Sequence, residues 1–191
     1  METKIAKTVV AGNSGVGKTS IVGKALIPDF DLTKTNPTLG SGFLSGNFPD
    51  EKGEIINFQV WDTAGQELYS SLSPIFFKDA IIAILVYDVS QPDTLPALDK
   101  YIQILNDQEP SCFKAIVGNK IDLERKVSYS EGVAYSNRVK ADFYIETSAY
   151  TEEGIKELFP TLALQKLVFK IKPKSALDNQ QKDSSERKKV C

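Results

Sequence analysis

The chain alternates between short apolar runs rich in β-branched residues and longer stretches whose apolar positions recur every three or four residues. The first pattern suits strands buried on both faces, and the second suits helices that bury one stripe. "TKIAKTVVA" (3–11) reads as a strand and "GKTSIVGKALI" (17–27) as a helix. Residues 43–48 and 54–61 read as two strands joined at "PDEKG", a hairpin by its turn residues. "AIIAILVYDV" (80–89), "CFKAIVGNKI" (112–121) and "DFYIETSA" (142–149) are further strands; "LPALDKYIQILNDQ" (95–108) and "SEGVAYSNRVKA" (130–141) are helices. "TEEGIKELFPTLALQKLVF" (151–169) reads as the last helix, with Pro160 inside it. The missing proline N–H predicts a bend or an early end there.

Strand–helix alternation predicts an α/β fold with a mostly parallel sheet covered on both faces, and the hairpin adds one antiparallel edge strand. No internal repeat is visible. The pattern stops near Lys172, where "KPKSALDNQQKDSSERKKVC" carries six Lys/Arg against three Asp/Glu. Residues 1–171 are therefore expected to form one domain and residues 172–191 a disordered basic tail.

A length of 191 residues leaves room for one domain with a sizeable core. The net charge of −2 gives no global basic face, so any phosphate site must be local and no nucleic-acid partner is expected. No stretch approaches a membrane span, and the N-terminus has no signal-peptide pattern. Two cysteines, Cys112 and Cys191, make no disulfide framework, which predicts a reducing, cytosol-facing location. The chain has no histidine. That excludes histidine-based nucleophilic triads and zinc sites, and leaves carboxylates, lysine, hydroxyls, amides and a bound metal.

Gly12-Asn13-Ser14-Gly15-Val16-Gly17-Lys18-Thr19 matches G-x-x-x-x-G-K-[ST] between a predicted strand and helix. The glycines let successive N–H groups converge on an anion, and the helix N-terminus adds partial positive charge. Asn13, Ser14, Gly15, Val16, Gly17, Lys18, Thr19 and the adjoining Ser20 are thus candidate nucleotide-phosphate residues. Lys18 suits the β- and γ-phosphates, and the Thr19 hydroxyl suits the Mg²⁺ they bring. A glycine-rich turn with a chance GKT is the plainer alternative.

"VGNKID" (117–122) closes a strand with N-K-x-D. A carboxylate at Asp122 accepts from both N1–H and the 2-amino group of guanine, whereas adenine offers a lone pair at N1 and would leave it unpaired. Such a mismatch costs on the order of 10⁴-fold in discrimination. Asn119 is expected to brace this loop against the phosphate loop, and the Lys120 stem to cover the base. In "ETSA" (146–149), the backbone N–H groups of Ser148 and Ala149 are candidates for the guanine O6. In "VWDTAGQE" (60–67), Asp62 can hold Mg²⁺ through water, Gly65 can offer its N–H to a γ-phosphate, and Gln66 can orient an attacking water. Thr38, in "TNPTLG", can meet Mg²⁺ and the γ-phosphate only while that phosphate is present, so its loop would be released on hydrolysis.

In order and spacing, GNSGVGKT, Thr38, WDTAGQE, NKID and ETSA resemble the Ras superfamily of small GTPases, over roughly residues 4–170. Ser14, "PTLG", the "WDTAGQE" hairpin and "LVYDVS" resemble the Rab family most. The resemblance implies a six-stranded sheet with about five helices and places Phe30 beside the guanine. It also implies GTP and GDP as bound nucleotides, Mg²⁺, slow GTP hydrolysis with Lys18, Gly65 and Gln66 in catalytic roles, and Tyr150 among the base-binding positions. Exchange factors, activating proteins and effectors are implied partners, with an escort or dissociation-inhibitor type of partner and a monomeric state. The sequence departs from the Rab pattern at Leu39-Gly40-Ser41-Gly42-Phe43, at Leu68, at "FFKDA" (76–80) and at Tyr150, where a lysine is usual. No arginine lies in 30–42, which predicts stimulation by a partner's arginine.

Cys191 behind "ERKK" invites prenylation, with the basic residues adding attraction to an anionic leaflet. It is the last residue, so there is no C-a-a-X box. The resemblance implies a GTP-hydrolysing switch in vesicle traffic, and with the tail it places that switch on the cytosolic face of an intracellular membrane. The alternatives are a GTP-binding scaffold that barely hydrolyses, a Ras-like signalling GTPase outside the Rab group, and a P-loop nucleoside kinase, which would need an arginine-bearing lid.

Overall fold

A computed structural model describes residues 4–34, 41–63 and 76–167. Their elements run β1 (Lys4–Ala11), α1 (Lys18–Leu26), β2 (Ser41–Pro49), β3 (Ile55–Thr63), β4 (Ile82–Asp88), α2 (Asp99–Gln108), β5 (Phe113–Asn119), α3 (Tyr129–Arg138), β6 (Phe143–Thr147) and α4 (Ile155–Ala163). Every strand and helix predicted above is present in this order. The described residues hold four α-helices, against the five implied by resemblance; residues 64–75 and the predicted tail lie outside the described set.

The six strands form one sheet in the order β2-β3-β1-β4-β5-β6. β2 pairs antiparallel with β3, and all other pairings are parallel. β2 is therefore the antiparallel edge strand that the hairpin predicted. β4 is buried at all seven positions, as a central parallel strand covered on both faces must be.

Alternate strand residues feed two cores. One gathers Val10, Val22, Phe58, Val60 and Phe159 on the side of α1 and α4. The other gathers Val9, Leu85, Tyr87, Leu105 and Tyr135 on the side of α2 and α3. In the first core Phe58 meets Phe159 edge-on at 5.4 Å, and Phe48 stacks on Phe159 at 5.7 Å, joining β2, β3 and α4. α4 stops at Ala163, three residues after Pro160, well short of the apolar periodicity that runs to 169. The helix runs through Pro160, which removes the bond back to the Lys156 carbonyl, and it ends one turn later.

Strand register sets up the site. Val10 pairs with Asp62, Asp88 with Asn119, and Asn119 with Thr147. Four polar residues thus reach the carboxyl ends of the parallel strands, where α/β sheets bind ligands.

Candidate functional site

The loop from β1 to α1 depends on glycine at positions where other residues would not fit. Gly12, Gly15 and Gly17 have φ of 148°, 77° and 97°. A Cβ on Gly12 would lie 2.2 Å from the Val86 carbonyl oxygen, and one on Gly17 would lie 2.3 Å from Asn119 Nδ2. Gly17 caps α1 without any side-chain hydrogen bond, so the helix N-terminus is open. The amides of Ser14, Gly15, Val16 and Gly17 have no acceptor among the described residues. The result is a ring of donors at a positive helix end, suited to phosphate.

Lys18 closes one side of this ring. It is 6% exposed, and its Nζ donates to the Gly12 and Asn13 carbonyls, both at 2.9 Å. Burial lowers its pKa to about 8, against the opposing pull of Asp62. Beside it, the Thr19 hydroxyl donates to Asp62 Oδ2 at 2.5 Å. Asp62 is 3% exposed, and its Oδ1 has no hydrogen-bond partner among the described residues. Burial raises the Asp62 pKa despite Thr19 and Lys18, although positioning chemistry needs no shift there. A hydroxyl and a carboxylate with one uncommitted buried oxygen form a hard oxygen donor set. It fits Mg²⁺ completed by phosphate oxygens and water.

The base-side residues meet the phosphate loop through Asn119. Its Nδ2 donates to the Val16 carbonyl at 2.8 Å, and its Oδ1 accepts from the Thr147 hydroxyl at 3.1 Å. Sequence reasoning anticipated this brace. Asp122 is exposed, and the buried Ser148 hydroxyl donates to its Oδ1 at 2.5 Å. The same hydroxyl oxygen accepts the Tyr150 and Thr151 amides. The expectation for the Ser148 N–H needs correction. That amide donates to the Glu153 carbonyl at 2.9 Å, because the chain turns back there to start α4. Ser148 acts instead through its hydroxyl, and Ala149 is left as the amide candidate for O6.

Lys120 sits at φ 68°, and its ammonium lies 2.7 Å from Asp88 Oδ2, so the stem is anchored at its far end. Phe30 is half-buried; its ring lies against α1, in the space a Cβ on Gly23 would occupy. Ser20 is half-buried at the start of α1, and Tyr150 is 78% exposed. Thr38, Gly65 and Gln66 lie outside the described residues, as do Leu39, Gly40, Leu68 and Cys191.

Two supporting groups escaped sequence reasoning. Asp88, fully buried, accepts from the Ser90 amide at 2.8 Å and its hydroxyl at 2.6 Å, besides pairing with Lys120. Burial works to raise its pKa, but these partners outweigh it and hold the carboxyl below its ordinary value. Glu146 accepts both Arg125 guanidinium nitrogens at 2.7 and 2.6 Å and the Tyr144 hydroxyl at 2.8 Å; Tyr144 in turn meets the Tyr87 hydroxyl at 2.9 Å. Both carboxylates stood in noticed motifs, "LVYDVS" and "ETSA", but nothing in either tetrapeptide or hexapeptide named the partner.

The Ras family profile matches residues 7–168. The chain is 37% identical to the GTP-binding protein ypt5 of Schizosaccharomyces pombe over 161 residues, covering 82% of this chain and 75% of that protein. It is 37% identical to the Ras-related protein Rab5 of Nicotiana tabacum, covering 83% of this chain and 79% of the relative. It is 34% identical to the Ras-related protein Rab-31 of Homo sapiens over 168 residues, covering 86% and 85%.

Proposed function

The chain belongs to the Ras family, and from that premise we propose that it is a Rab-type switch that binds GTP and GDP and hydrolyses GTP. The observation that carries this reading is the 2.8 Å bond from Asn119 to the Val16 carbonyl. It joins the N-K-x-D loop to the phosphate loop, so base and phosphate are gripped by one rigid unit. Asp122, held by Ser148, accepts the two guanine donors. The loop amides and Lys18 take the phosphates.

The buried Asp62 oxygens and the Thr19 hydroxyl are the residues that would hold Mg²⁺. Bound there, the ion would neutralise phosphate charge. Gln66 orients the water, the Gly65 amide and Thr38 respond to the γ-phosphate, and a partner's arginine supplies the missing charge. The Rab names of the relatives support a role in vesicle traffic, with exchange factors, activating proteins and effectors as partners. Among the described residues no helix is long and apolar enough to cross a membrane. Membrane contact in this reading runs through a lipid on Cys191 and the basic residues before it.

Single-turnover hydrolysis of bound GTP tests the proposal. The parent protein should hydrolyse slowly, at about 10⁻⁴ s⁻¹. Gln66→Leu should keep GTP binding and slow that rate by tenfold or more, whereas equal rates in the two proteins would remove Gln66 from the chemistry.

A further inference from the structure

The loop from β6 to α4 carries base-side groups, and its outer edge is tied to the helix that carries phosphate-side ones. Ser148 holds the inner edge. Its amide donates to the Glu153 carbonyl at 2.9 Å, and its hydroxyl oxygen accepts the Tyr150 and Thr151 amides. A Cβ on Gly154 would lie 2.4 Å from the Glu146 carbonyl oxygen, so the end of the loop is pressed onto β6. Between these fixed points Glu152 stands at φ 66°, a left-handed conformation that a side chain makes costly. Lys24 Nζ donates to its Oε1 at 3.0 Å, and Lys156 Nζ lies 3.2 Å from its Oε2. Lys24 belongs to the last turn of α1, where a cation also suits the helix dipole. The same helix begins with Lys18 and Thr19, and Gly23, next to Lys24, packs under the Phe30 ring.

Two ties therefore join the phosphate side to the base side. The Asn119–Val16 bond is buried, so salt does not reach it. The Lys24 and Glu152 side chains are 20% and 39% exposed, so their attraction is screened by salt. We propose that Lys24 and Glu152 form an outer latch on the guanine nucleotide, positioning residues that hold the 148–152 loop against α1 and make GDP release depend on ionic strength. Lys156 orients the Glu152 carboxylate from α4. The inference rests on the guanine-nucleotide site proposed above and adds to it a means of setting how long the nucleotide stays. Water reaches both partners, so the latch is worth about a two- to fivefold change in release rate, the range of an exposed ion pair.

The test is release of fluorescent GDP from the full chain in Mg²⁺, at about 0.02 M and about 0.5 M NaCl, between which the screening length falls from about 20 Å to about 4 Å. At low salt Glu152→Gln and Lys24→Met should each release GDP about two- to fivefold faster than the parent. Both should lose that difference at high salt, where the parent catches up. The double variant should be no faster than either single one, because the two changes remove the same bond. Glu152→Gly separates positioning from stability. Freed of the left-handed strain, it should resist urea better than Glu152→Gln yet release GDP just as fast. Regained slow release in Glu152→Gly, a double variant as fast as the product of the singles, or equal rates and salt responses in parent and variants would each overturn the latch and leave the nucleotide site standing. A chain that retains no GDP overturns both readings.

Discussion

Asn119 offers the sharpest test of how the site is built, because one buried side chain joins three loops. It is 1% exposed, donates to the Val16 carbonyl and accepts from the Thr147 hydroxyl. Asn119→Ala strands an acceptor and a donor in a dry place. Each orphan costs about 1–3 kcal/mol, so unfolding free energy should fall by about 2–6 kcal/mol. The loss of the Val16 brace also frees the phosphate loop, and a brace worth about 1.4 kcal/mol corresponds to a tenfold faster GDP release. Gly17→Ala provides the partner mutation. Its Cβ would stand 2.3 Å from Asn119 Nδ2 on a backbone at φ 97°. The backbone strain, about 1–2 kcal/mol, persists in either background, but the clash disappears once Asn119 is Ala. The double mutant should therefore be more stable than additivity predicts, by about 1 kcal/mol. Urea unfolding and release of fluorescent GDP measure both effects. Strict additivity, or an Asn119→Ala protein within about 0.5 kcal/mol of the parent with unchanged release, refutes the brace.

Other outcomes follow from the same contacts. Gly23→Ala would drive a Cβ to 2.3 Å from the Phe30 ring, so GDP release should quicken several-fold although alanine favours the helix by about 0.8 kcal/mol; unchanged release would separate Phe30 from the nucleotide. Lys120→Met leaves the buried Asp88 carboxylate without its cation and should cost about 2–3 kcal/mol near neutral pH, discounted for the partial exposure of Lys120. Because the Asp88 pKa is depressed in the folded protein, the stabilisation from its partners is present above the ordinary carboxylate pKa and is lost as pH falls through the folded value. The stability gap between parent and Lys120→Met should accordingly narrow on acidification, and a pH-independent gap in urea titrations would count against the ion pair.

Local patterns carried the fold because each element obeyed them. The glycines of the phosphate loop, the unbroken apolar β4 and the turn at "PDEKG" each fix local geometry without help from afar. The Asn119 brace was also legible although its two ends are far apart in the chain, because the phosphate loop and N-K-x-D are both recognisable motifs that must serve one nucleotide. What stayed hidden depends on partners outside any recognised motif pair. Asp88 pairs with Lys120 across the β4–β5 register, and Glu146 finds Arg125 from the far side of α3. The Ser148 amide was misassigned because its acceptor, the Glu153 carbonyl, exists only once the chain folds back into α4.

Competition between GDP and ADP for the nucleotide-free chain in the presence of Mg²⁺ tests the central claim most directly. The Asp122 carboxylate, fixed by Ser148, predicts a preference for GDP on the order of 10⁴-fold or more. ADP binding within about tenfold of GDP would contradict the guanine site, and with it the switch built upon it.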